Sequence, residues 1–129
     1  MKTTLAIVAL ISAAMAHTAQ AQDVAAGEQS FRKCLPCHAV GEEAKNKVGP
    51  ELNGLDGRHS GSAPGYSYSD ANKNSGLVWS EATLDTYLAD PAKLVPGNKM
   101  LFGGLADAQT RADVIAYLKQ ATTSPAPPK

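Results

Sequence analysis

The sequence predicts an all-α fold, one small domain of helices and loops wrapped around a covalently bound group. Three observations predict it. Apolar residues recur at helical spacing near 23–31, 81–89 and 107–121, and nothing near Cys34 alternates like a strand. From Ala39 to Val78 the chain is rich in Gly, Ser, Asn and Pro without a sustained period, and a loop region of roughly forty residues needs something rigid to pack on. Cys34-Leu35-Pro36-Cys37-His38 supplies it, because two cysteines three apart with a histidine directly after the second have the spacing of c-type haem attachment.

Each residue of that motif has its own task. The thiols of Cys34 and Cys37 can each add across one haem vinyl group to form a thioether, and the imidazole of His38 can then reach the iron from one face. A thioredoxin-like motif would share the two cysteines but belongs beside a strand-helix-strand pattern. A structural zinc site needs four ligands, and the chain has only these two cysteines, with His38 and His59 left to complete the set. A plain disulfide would leave His38 unexplained.

The N-terminus is read separately from the domain. Lys2, the small-apolar run from Leu5 to Ala16, and Ala19-Gln20-Ala21 together describe a secretory signal peptide cleaved after Ala21. The run is shorter than the ~20 residues that a bilayer core requires, so no membrane anchor is expected. No arginine of an organellar transit peptide is present, which favours bacterial export to the periplasm. The expected organisation is a signal peptide over 1–21, a haem-binding domain over 22–121 and a flexible Pro-rich tail over 122–129.

Without the leader the chain has 11 basic and 12 acidic side chains, a formal charge of −1, and no basic bias pointing to nucleic acid. Aromatic residues make up only 5% of the sequence, so a chain of about 108 residues has a modest core of its own. A buried haem would enlarge it.

Taken in order, Asp23 is the expected N-cap of a first helix in which Val24, Gly27 and Phe31 share a face and which leads into Cys34. Gly27 in that stripe is either a tolerated glycine or a point of close helix approach. Turns and loops follow, with a short helix near Asp70 to Lys73. Ser80 caps a helix from Glu81 to Ala89, with Leu84, Tyr87 and Leu88 on one face, ended by Asp90-Pro91. A turn of helix after Pro91 precedes Pro96-Gly97, which opens a loop carrying Asn98, Lys99, Met100, Leu101 and Phe102. Asp107 opens the last helix, with Ala108, Arg111, Val114, Ile115 and Leu118 in its amphipathic pattern, running to about Ala121.

The candidates for the second axial position of the iron can be counted. Met1 and Met15 leave with the leader, so Met100 is the only methionine of the mature chain, and His59 is its only histidine besides His38. Met100 lies on an apolar loop beside Phe102, whereas His59 lies in a polar, glycine-flanked stretch that reads as exposed. Met100 is favoured, against His59 and against ordinary core filling. His/Met ligation saturates the iron and raises its potential, which suits carrying an electron and not binding a substrate.

Several further motifs, in order, extend the pattern: Gly49-Pro50-x-Leu52-x-Gly54, Gly57-Arg58, the run from Tyr66 to Lys73, Trp79, Leu88-x-Asp90-Pro91, Pro96-Gly97-x-Lys99-Met100-x-Phe102 and Ala116-Tyr117-Leu118-Lys119. With the haem motif they resemble the class I cytochrome c family, most of all bacterial cytochrome c2 and, close behind, mitochondrial cytochrome c, from about Asp23 to Ala121. The resemblance implies that the Pro50 carbonyl accepts a hydrogen bond from the proximal imidazole, and that Arg58, Tyr68 and Trp79 hold a haem propionate. It also implies that Asn72 and Tyr87 are polar groups on the methionine side, with Tyr87 bonded to the Met100 sulfur. Gly27, Phe31, Tyr117 and Leu118 match the crossing of the first and last helices, which tips Gly27 toward close packing. Asn98 departs from the usual threonine, which leaves its propionate contact open, and Ala92 stands where relatives often carry lysine.

The function so implied is that of a soluble periplasmic one-electron carrier, not an enzyme. It would shuttle electrons between redox complexes such as cytochrome bc1 and a photosynthetic reaction centre or terminal oxidase. A haem peroxidase or a gas-binding sensor would need a labile sixth ligand, and Met100 argues against both. The carrier is expected to be a monomer that meets acidic partner surfaces. Arg32, Lys33, Lys45, Lys47, Lys93 and Lys99 fall in segments that the resemblance places around the exposed haem edge, although Glu42 and Glu43 weaken the group.

Overall fold

The computed structural model describes residues 21–122, so the expected signal peptide and tail lie outside it except for Ala21 and Thr122. Its helices are α1 (Val24–Phe31), α2 (Asp70–Lys73), α3 (Glu81–Ala89), α4 (Pro91–Leu94) and α5 (Ala108–Ala121). Among the described residues the only β feature is an isolated antiparallel bridge between His59 and Val78. The fold is all-α, as the periodicities predict.

Side chains that satisfy orphan backbone donors start these helices. Asp23 accepts from Ala26 N in α1, Ser69 from Asn72 N in α2, Asp90 from Lys93 N in α4 and Asp107 from Thr110 N in α5. Ser80 and Thr83 form a reciprocal capping box at α3, and Pro91 occupies the first turn of α4, where its missing N–H costs nothing.

α5 packs on both α1 and α3, and its pairing with α1 is the most extensive in the molecule. Gly27 is the reason α1 and α5 come so close. A Cβ there would lie 2.0 Å from Asp113 O and 3.0 Å from Tyr117 Cβ, so close approach is the correct alternative for this glycine. Phe31, Val114, Ile115 and Leu118 are buried around the crossing, and the Phe31 and Tyr117 ring centroids are 5.2 Å apart. Burying each such large side chain contributes on the order of 1.5–3 kcal/mol.

Two expectations need correction. Val24, the first residue of α1, is 38% exposed, so Gly27 and Phe31 form the buried stripe without it. Thr122, assigned to the tail, is buried: its hydroxyl donates to Leu118 O at 2.6 Å and its carbonyl accepts from Gly54 N at 2.8 Å. Thr122 therefore packs with the helices.

Candidate haem site

α1 delivers the attachment motif without a break. Cys34 N donates to Phe31 O at 2.7 Å and His38 N to Cys34 O at 2.9 Å, so turns continue from the helix through the pentapeptide. Cys34, Cys37 and His38 all line one cavity of about 270 Å³, walled mainly by apolar side chains from Phe31, Leu52, Trp79, Leu88 and Val114. No disulfide joins the two cysteines. Burial pushes the Cys34 thiol up, with Cys37 adding to the shift and Lys33 opposing it, so at neutral pH it is a thiol and not a thiolate. Among the described residues no three His, Cys, Asp or Glu side chains form a metal cluster of the kind a zinc site would need.

The His38 ring is held from its outer edge. Nδ1 lies 2.7 Å from Pro50 O, and donating its proton to that carbonyl leaves the lone pair on Nε2. Burial lowers the His38 pKa, the Pro50 bond opposes this, and the charges of Arg58 and Lys47 lower it further, so the neutral, ligating form is favoured. Gly49 lies close against the same ring. A Cβ there would lie 2.5 Å from His38 Cε1 and 2.8 Å from Nδ1.

Arg58, Tyr68 and Trp79 line the same cavity. Arg58 Nη1 donates to Asn53 O at 2.9 Å and to Glu51 Oε1 at 3.3 Å, and Nη2 donates to Glu51 O at 2.9 Å. Its Nε is buried with no partner. A buried N–H that lacks an acceptor is costly, and a carboxylate brought into the cavity would supply one. The Tyr68 hydroxyl accepts from Ala63 N at 3.0 Å and keeps its own hydrogen to donate. Its pKa is raised, chiefly by burial.

On the methionine side, Met100 packs against the core and lines the cavity with Asn72 and Tyr87. The Tyr87 hydroxyl donates to Met100 Sδ at 3.9 Å. Burial raises the Tyr87 pKa, and a hydrogen bond with Asn72 works against it. His59 is exposed and does not line the cavity, so Met100 is the sixth-ligand candidate that shares it with His38. Asn98 does not line it either; its role lies elsewhere.

Gly49, Glu51 and Asn53 were not singled out for these contacts. Glu51 Oε2 accepts from Asn53 N at 2.7 Å while Oε1 meets Arg58, so this carboxylate braces the loop and shares the guanidinium charge. Only the spacing of Gly49-Pro50 from the haem motif could have pointed to the close approach of Gly49 to His38.

A family model described as Cytochrome c matches residues 24–122. The chain belongs to the cytochrome c family. Cytochrome c2 from Blastochloris viridis is 56% identical over 110 residues, covering 85% of this chain and 87% of the relative. Cytochrome c2 from Rhodoplanes tepidamans is 60% identical over 99 residues, covering 77% and 92%. The solved structure of cytochrome cH from Methylobacterium extorquens aligns with a TM-score of 0.71 at 52% identity, covering 76% of this chain and 98% of that one. It is a class I cytochrome c most like the bacterial c2 group. The family carries covalent haem, and the two unbridged cysteines lining the cavity, the orphaned Arg58 Nε and the apolar walls fit that group.

Proposed function

We propose that this cytochrome c is a one-electron carrier whose haem is tethered through Cys34 and Cys37 and whose iron is ligated by His38 and Met100. The observation that carries this reading is that His38, its Nδ1 committed to Pro50 O, and Met100, its sulfur facing Tyr87 OH, line one cavity from which His59 is absent. When bound, the haem supplies an iron that takes up and returns one electron. Pro50 orients the proximal ring, Tyr87 and Asn72 order the methionine side, and Arg58 with Tyr68 and Trp79 offsets the cost of burying a propionate. His38 and Met100 would together hold the iron and leave it no position for a substrate, so the protein is not read as a peroxidase, a gas sensor or any other enzyme.

Residues 1–21 are read as an export signal and the carrier accordingly as a periplasmic protein; it is also read as a monomer. Among the described residues no helix is long and apolar enough to cross a membrane. Lys33 and Lys99 line the cavity together with the exposed Val48 and Leu101, an apolar rim with cations beside it. This rim suits brief docking to acidic surfaces of redox complexes such as cytochrome bc1 and a reaction centre or terminal oxidase.

The ferric holoprotein should show the near-infrared charge-transfer band of thioether ligation. Met100→Ala should abolish the band, lower the potential and admit external ligands while the haem stays attached; a low-spin spectrum and a potential unchanged by the substitution would place the ligand elsewhere. For docking, the bimolecular rate with an acidic partner should fall with ionic strength, since screening acts over ~8 Å at physiological salt. Lys33→Glu or Lys99→Glu should slow the rate more than Lys119→Glu on α5. Equal effects would remove the steering role.

A further inference from the structure

Asn98 opens the loop that carries Met100, and every polar atom of its side chain is engaged with backbone. Nδ2 donates to Pro91 O at 3.1 Å and to Val95 O at 2.9 Å, which uses both amide hydrogens. Oδ1 accepts from Met100 N at 2.9 Å. No amide hydrogen is left for a propionate, and the residue lies outside the cavity lining. One side chain thus joins the first residue of α4, the residue that ends it and the backbone of the methionine itself. The backbone adds one further tie, from Asn98 N to Val95 O at 3.1 Å.

We infer that Asn98 is a positioning residue that clamps the methionine loop onto α4 and thereby holds Met100 in its ligating position. This rests on Met100 being an iron ligand. For the iron to accept an external ligand, the loop must first carry the sulfur away. The apparent affinity of such a ligand is its intrinsic affinity scaled by the open fraction. A threonine, with one hydroxyl, cannot bridge three backbone groups at once. A serine can still accept from Met100 N but loses the two amide donations.

Imidazole is the probe. Its binding to the ferric holoprotein is titrated through the loss of the near-infrared thioether band, alongside the reduction potential, for the unaltered protein and for Asn98→Ala, Asn98→Ser and Asn98→Thr. A net hydrogen bond corresponds to about a five- to tenfold change in an equilibrium, so Asn98→Ala should raise the apparent imidazole affinity about tenfold or more. Ser and Thr should fall between Ala and Asn. Should Asn98→Ala fail to fold, the Ser and Thr variants carry the same comparison. An imidazole affinity unchanged in all variants that fold, whatever happens to their melting temperature, overturns the clamp. So does a large change in potential at constant affinity, which is what loss of a propionate contact would produce. If the unaltered protein lacks the thioether band, the ligation itself fails and the clamp fails with it; a normal band with unchanged affinities condemns the clamp alone.

Discussion

Where α1 crosses α5, backbone meets backbone, and a Cβ at Gly27 would lie 2.0 Å from Asp113 O. Between Ala39 and Val78, by contrast, side chains reach for backbone. Arg58 holds Asn53 O and Glu51 O, Asn53 Nδ2 donates to Gly41 O, Asn46 Nδ2 to Pro64 O, and Tyr66 OH to Val48 O. The helix pair is fixed first by shape, although Phe31, Val114 and Leu118 also line the haem cavity. The loops are fixed by directional bonds and by whatever fills the cavity they surround, so their order should depend on the haem more than that of the crossing does.

Gly27→Ala should have the largest effect. The added methyl meets backbone that cannot move independently, and overpacking of this kind costs about 3 kcal/mol or more, read from guanidinium unfolding of the holoprotein. Its spectrum, while folded, should be nearly unchanged, because Gly27 and the residues it meets, Asp113 and Tyr117, do not line the haem cavity.

Gly49→Ala should show the reverse balance. Its methyl would lie 2.5 Å from His38 Cε1 and 3.0 Å from Cys37 O, contacts less severe than the 2.0 Å approach at Gly27, so the stability loss should be smaller, about 1–2 kcal/mol. The displaced ring should shift the potential and the haem spectrum. If Gly49→Ala proved the more destabilising of the two with an unaltered spectrum, the contrast between scaffold and site would be inverted.

The helices were legible because their signals are local. Asp23, Ser80 and Asp107 cap the helices they precede, the short helix at Asp70–Lys73 falls where it was placed, and Asp90-Pro91 separates α3 from α4. The haem motif pointed to Cys34, Cys37 and His38, a count of candidate ligands to Met100, and the family resemblance to Pro50, Arg58, Tyr68, Asn72, Trp79 and Tyr87; all ten line the same cavity. What escaped depends on pairings across the chain that no local pattern carries. Thr122 is held by Gly54 N, Glu51 is bound to Arg58 seven positions on, and the amide of Asn98 is consumed by α4.

The smallest effect should come from the scaffold's surface. Asp107 accepts from the backbone N–H and the hydroxyl of Thr110, and these bonds hold its carboxyl below its ordinary value of 3.8. A carboxylate with a lowered folded pKa gives stability that is fully present above the ordinary value and lost as pH falls through the lower folded one. Asp107→Ala should therefore lower the melting temperature slightly at neutral pH, with the gap closing as the pH drops below that value. A gap that persists in strong acid would mean that the charge is not its source.

Lys99 is a cation with prior commitments. Its ammonium donates to Ser67 O and lies 4.6 Å from the centre of the Tyr66 ring, bridging the methionine loop to the loop before α2. Lys47 is likewise bonded, to Leu35 O, whereas no such bond restrains Lys33 among the described contacts. A partner's carboxylate that draws Lys99 outward must displace a carbonyl and an aromatic face, so that contact is an exchange, worth only the difference between new and old partners. The exchange also works in reverse. When the partner leaves, Lys99 returns to waiting acceptors, which favours rapid release, as a carrier that must part from each partner after a single electron requires.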